Sequence, residues 1–254
     1  RGEYLYKYVS NESINEVKDK STLLSNGNLY VAKFNDNFTG EWLLLDTQTT
    51  GLSSQAEVCI FTRLAASKVG ATTMDRPEWI ASNPKKNEVC CCLTNNKNRG
   101  IKTNKGGDKV DVDKVNPRKN NKYGQIVRWK PKDNNHSSVY FEWDLFVVAG
   151  NPNVHDDNNR GSKNIDKENM FNSPDGLKFD KYGRLWIQTD GNYSNSGDFK
   201  GMGNNQMLIA DTNTGKIKRF MVGPKECEVT GLTFAPDYKT VFVGIQHPGK
   251  RLGS

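Results

Sequence analysis

The chain has no run of about 18 apolar residues, which excludes a membrane-spanning helix. It is also poor in hydrophobic residues, at 35% with a mean hydropathy of -0.76, and rich in Asn, Lys and Gly. This composition predicts long polar loops around a modest core. At 254 residues there is length for one large domain or two small ones. Cysteines number five, with no CxxC pair, and the odd count argues against a disulfide framework. Cys90, Cys91 and Cys92 are consecutive, and successive strand residues face opposite ways, so they are expected to be small strand hydrophobes. The chain opens without an initiator Met and no signal peptide is visible in it, which says nothing about export. The opening RGEYLYKYVS already alternates like a strand, so the chain is expected to be a piece of a longer protein.

The net charge of +7 invites a nucleic-acid reading until it is located. Residues 97–122 hold nine Lys and Arg against three Asp, so one Asn/Gly-rich segment supplies most of the excess. That segment has no aromatic residue to stack on a base, and a solvated loop is expected in place of a nucleic-acid surface.

What remains is mostly β signal. Residues 29–32, 42–45, 89–93, 125–129 and 141–148 are short apolar runs bounded by Gly, Asn or Asp. Residues 206–210 and 216–221 flank DTNTG and predict a hairpin. One segment departs from this, since residues 54–68 place Val58, Phe61, Leu64 and Ala65 at helical spacing before Gly70. PEWIASNPKKNEVCCCLTNN, PDGLKFDKYGRLWIQTDG and VTGLTFAPDYKTVFVGIQHPG share one grammar of two strands joined by a polar turn. They align Ile80, Leu177 and Leu232, with Ser82, Phe179 and Phe234 two residues on. An irregular repeat of this kind predicts an all-β chain, part of a single β-propeller over residues 1–254 with one inserted helix near 54–68. A β-sandwich is the rival architecture.

The acids fall at fixed points of this repeat. Glu78 and Asp175 precede the residue that opens a strand, Glu228 lies three residues before Gly231, and Asp190 closes the second copy. Propeller geometry brings such positions to one end of a channel, where carboxylates repel unless a cation joins them. Oxygen donors suit Ca²⁺ or a similar metal, although Asp175-Gly176 and Asp190-Gly191 also read as ordinary turns. In TTMDRPEWIA, Arg76 and Glu78 flank a proline, which fixes its own φ and predicts extended backbone at Arg76. A guanidinium fork beside metal-binding acids would suit phosphate, whereas an ion pair with Asp75 or another acid would be purely structural.

MDRPEW, LTNN, NPRKNNKYGQIVRW, SPDGLKFDKYGRLWIQTDG, NNQMLIADTNTGKIKRF and ECEVTGLTFAPDYKTVFVGIQHPG together closely resemble the PhoX-type alkaline phosphatases, in order from Tyr4 onward. The resemblance implies an exported, periplasmic or secreted β-propeller phosphatase with iron and calcium at the channel mouth, acting on phosphate esters. It implies that Arg76 contacts phosphate and that Glu78, Asp175 and Glu228 bind metal, with Asp190 and His247 placed near them by blade position alone. The family's upstream half, with a cysteine that ligates Fe³⁺, is not in this chain. Part of the metal shell, and little activity by itself, are therefore expected. A calcium-dependent lactonase-type propeller hydrolase and a non-catalytic propeller scaffold are the alternatives.

Overall fold

The computed structural model describes residues 3–103 and 110–249. Thirteen strands are found there. β1 (Tyr6–Ser10), β2 (Gly27–Phe34) and β3 (Thr39–Leu44) form an antiparallel meander. β4 (Pro77–Ser82), β5 (Val89–Leu93), β6 (Gln125–Pro131) and β7 (Tyr140–Val148) form a second, and a short β3–β7 pairing joins the two into a seven-stranded sheet. β8 (Pro174–Phe179), β9 (Arg184–Thr189), β10 (Gln206–Asp211) and β11 (Ile217–Val222) make a separate four-stranded sheet. β12 (Glu228–Phe234) pairs with β13 (Val241–Gln246). Strand β8 lies against both β4 and β12, so successive sheets set their first strands side by side. This is the arrangement of a partial β-propeller, with β4, β8 and β12 as inner strands.

Each interface between blades is filled from both sides. Cys90, Cys92, Ile126 and Phe146 meet Leu177, Phe179, Leu185 and Ile187 between the first two blades. Trp186 and Met207 meet Val229 and Leu232 between the second blade and the β12–β13 pair. Cys91 points the other way, into a cluster with Trp42, Trp129 and Phe141. The cysteine run is therefore strand packing on two faces, all three residues being buried and free. The DTNTG turn joins β10 to β11, with the Gly215 N–H donating to Asp211 O.

Two segments depart from the sequence expectation. The helix over 54–68 is broken at Phe61 (φ -100°, ψ 39°) into α2 (Gln55–Ile60) and α3 (Thr62–Lys68), and a short α1 (Thr47–Thr50) precedes it. Val58 and Ala65 are buried against Val31 and Leu45, but Phe61 and Leu64 are exposed, because the break rotates the second half. The basic segment 97–122 is not simply a solvated loop. Residues 104–109 lie outside the described residues, but Arg99 and Arg118 are buried. The Arg118 guanidinium donates to the Ala149 and Gly124 carbonyls.

Candidate metal and phosphate site

The three inner strands begin in the same way. In each blade the pairing of the first two strands slips between the first and fourth residue of a stretch: Pro77/Ile80, Pro174/Leu177 and Val229/Leu232. Such a bulge redirects side chains at the end of a strand. The shared slip confirms the alignment of Ile80, Leu177 and Leu232 and makes Glu78, Asp175 and Thr230 equivalent, since each is the first residue of its bulge. Glu228 therefore does not occupy the position of the other two acids. It stands where the first blade has Arg76 and the second has Ser173. Asp190 corresponds to Thr94 and Gln246, the residues that leave the second strand. The backbone agrees, since Thr94 N–H donates to Arg76 O and Asp190 N–H to Ser173 O, both at 3.1 Å.

Different equivalent positions thus converge on one point. Oxygens of Asp175, Asp190 and Glu228 all lie within 4.8 Å of one another, with Asp175 and Glu228 half-buried and Asp190 exposed. Burial, and then Glu78, Asp190 and Glu228, push the Asp175 carboxyl up to about 6. Loss of solvent also raises Asp190, against the opposing influence of Arg76 and His247. Glu228 is raised by burial and then by Asp190 and Glu78. Glu78 stands near enough to act on Asp175 but is not within that group of three. Its carboxylate lies 3.9 Å from Arg76 Nη2. His247 follows β13, its φ is 54°, and its Nε2 lies 2.7 Å from Gln246 Nε2.

Arg76 is not extended as the following proline predicts, because its φ is 54°, in the left-handed region. Its N–H closes a three-residue turn on Met74 O at 3.0 Å. Ser173, before Pro174, shows the same left-handed backbone (φ 52°). The Arg76 side chain is half-exposed and donates to Asn95 Oδ1 at 3.2 Å, while Asn95 donates to Ser173 Oγ at 3.2 Å. These groups open onto a cavity of about 580 Å³, lined among others by Asn172, Asp190, Lys122 and Phe199. Asn95 and Ser173 escape a search for charged residues. Their signal was position, since Asn95 follows β5 within the first repeat copy and Ser173 immediately precedes β8. Asp75 pairs with Arg99, not with Arg76, at 2.7 Å.

The donor set is carboxylate oxygen, which fits Ca²⁺. It contains no thiolate. Cys90, Cys91, Cys92 and Cys227 are buried in the blade interfaces, and burial pushes the Cys91 thiol up to about 12. None of the five cysteines belongs to the acid group.

The chain is a partial β-propeller that gathers carboxylates and a guanidinium at one end of its inner strands. The family profile described as alkaline phosphatase PhoX matches residues 1–249, and the chain belongs to that family. Among solved structures it is similar to PhoX from Pseudomonas fluorescens in complex with vanadate, a transition-state analogue. The TM-score is 0.91 and the identity 54%, over 100% of this chain and 46% of that one. The chain therefore spans about half the length of that relative. A gluconolactonase from Xanthomonas campestris matches over 87% of this chain and 51% of its own, at 11% identity and a TM-score of 0.36, too remote to bear on fold or function. No curated protein sequence matches the chain.

Proposed function

We propose that these residues form part of a phosphomonoesterase site, in which Asp175, Asp190, Glu228 and Glu78 hold Ca²⁺ and Arg76 binds the phosphoryl oxygens of a phosphate ester. The observation that carries this is the convergence of three carboxylates within 4.8 Å beside a half-exposed guanidinium. With Glu78, four carboxylates stand beside the Arg76 guanidinium, an excess of negative charge at the acid group that a divalent ion would balance. A bound metal would supply charge neutralisation on the phosphate and a polarised oxygen nucleophile.

The chain's own residues would do the rest. Arg76 would present its planar fork to equatorial oxygens, and Asn95, bonded to its Nη1, would fix the fork's plane. Glu78, 3.9 Å from Nη2, would hold the other edge until phosphate displaces it or metal engages it. Fe³⁺ belongs to the same proposal only as an ion whose remaining ligands come from elsewhere in the complete enzyme. Export to the periplasm or beyond is likewise proposed from the family.

The test is Arg76→Lys in the complete, metal-loaded enzyme. An ammonium carries the charge but not the fork, so kcat/KM for p-nitrophenyl phosphate should fall on the order of 10²-fold or more with metal content unchanged. Near-wild-type turnover would refute the role given to Arg76. Glu78→Ala should instead lower metal content, read by elemental analysis.

A further inference from the structure

Behind Arg76 lies an ion pair that the metal and phosphate chemistry does not use. Arg99 and Asp75 are both fully buried, with Arg99 Nε donating to Asp75 Oδ1 at 2.7 Å. Several further polar contacts of the pair reach residues 73–75, the segment that leads into Arg76, and others tie it to Asp111, Asn121 and Gln125. Arg99 Nη2 donates to Thr73 O at 2.9 Å, and Nη1 to Thr73 Oγ1 at 3.2 Å and Asp111 O at 3.0 Å. Asp75 Oδ2 accepts from Asn121 Nδ2 at 2.8 Å. The Asp75 N–H donates to Asn116 Oδ1 at 3.0 Å, and Asn116 Nδ2 donates to Thr73 O at 3.0 Å. The backbone of residues 73–75 is thus gripped on both edges.

A buried ion pair is a poor way to gain stability, because well-packed apolar residues of similar size often do as well or better. It does fix geometry. The next residue needs fixing, since Arg76 is a non-glycine residue held at φ 54° immediately before a proline. Released from the turn on Met74, it would relax toward the extended backbone that a following proline favours. That rotation would swing the guanidinium away from Asn95 and the acid group.

We propose that the Arg99–Asp75 pair is a positioning clamp that holds Arg76 in its left-handed conformation and so aims its guanidinium at the phosphoryl group. Arg99 touches neither substrate nor metal and acts only through Arg76. The proposal rests on the phosphatase reading of the site.

The experiment is a double-mutant cycle in the complete, metal-loaded enzyme, with Arg99→Lys, Arg76→Ala and the pair of changes together. Inhibition by orthovanadate, kcat/KM, metal content and Tm are read for each. Arg99→Lys keeps the charge next to Asp75 but cannot span Thr73 and Asp111 at once. Vanadate inhibition and kcat/KM should weaken by roughly 10- to 100-fold, the scale of a misplaced group of about 1 Å, with metal content unchanged. In the Arg76→Ala background Arg99→Lys should have almost no further effect. An equal loss in both backgrounds, or wild-type vanadate inhibition in a folded Arg99→Lys enzyme, would overturn the clamp. Should Arg99→Lys fail to fold, Thr73→Val removes one Arg99 hydrogen bond and leaves the ion pair. It should weaken vanadate inhibition a few-fold only when Arg76 is present, and no change would refute the proposal. If Arg76→Ala itself leaves vanadate inhibition intact, the phosphate reading fails instead, an outcome distinct from failure of the clamp.

Discussion

Asp175 sits at the point where the competing forces are plainest. Burial and three neighbouring acids raise its carboxyl from an ordinary 3.8 to about 6. Below about pH 4 it is protonated whether the chain is folded or not. As pH rises through 6 the unfolded chain has already released the proton and the folded one must give it up against repulsion, so metal-free stability falls. Asp190 and Glu228 are raised too and act in the same sense. The metal-free protein in chelator should therefore have a lower Tm at pH 7.5 than at pH 5. Added Ca²⁺ should raise Tm much more at pH 7.5. Asp175→Asn should flatten the metal-free profile. A metal-free Tm that rises between pH 5 and 7.5 by the same amount in wild type and variant would show that the acids do not repel.

Among the elements, the strands are where the sequence was most informative. Apolar runs such as Val89–Leu93 became strands at the expected residues, because short runs bounded by Asn and Gly have little choice but an extended, buried conformation. The repeat located the inner strands and the residues after each bulge. It set Glu228 two positions upstream of Glu78 and Asp175, as the register has it, but gave no sign of the one-residue bulge, which is a matter of hydrogen-bond register and leaves no mark in composition. The break at Phe61 was equally hidden, because the spacing of Val58, Phe61, Leu64 and Ala65 fits an unbroken helix. Arg76 and Ser173 both defied their prolines, and both carbonyls accept from the residue that leaves the neighbouring strand, Thr94 and Asp190, so tertiary pairing outweighs the local preference. At the second bulge, Gly176 has the buried Gln188 side chain against the place a Cβ would take. Gly176→Ala should cost about 1–3 kcal/mol by overpacking and weaken Ca²⁺ binding by moving Asp175, as denaturant unfolding with and without Ca²⁺ would show. An unchanged unfolding midpoint would mean that Gln188 simply moves aside.

For the molecule as a whole, three successive inner strands create a site that no single blade contains. Asp175 and Asp190 come from the second blade, Glu228 from the β12–β13 pair, and Arg76 and Glu78 from the first. Interfaces such as Cys92 against Leu177 and Trp186 against Val229 therefore set the distances among the acids as well as the stability. This explains why the sequence could nominate the acids yet not say which would meet. Since the chain covers 46% of the similar phosphatase, the 254 residues alone should hydrolyse p-nitrophenyl phosphate little or not at all. Robust chelator-sensitive turnover by this chain would show that its own residues complete the site. Calorimetric titration of Ca²⁺ into the metal-free complete enzyme and its Asp175→Asn variant tests directly whether the acid group holds a metal. The variant should lose one Ca²⁺ site or bind it at least about 10-fold more weakly, as expected when a charged ligand is removed from an oxygen shell. Identical stoichiometry and affinity in the two proteins would contradict the metal site.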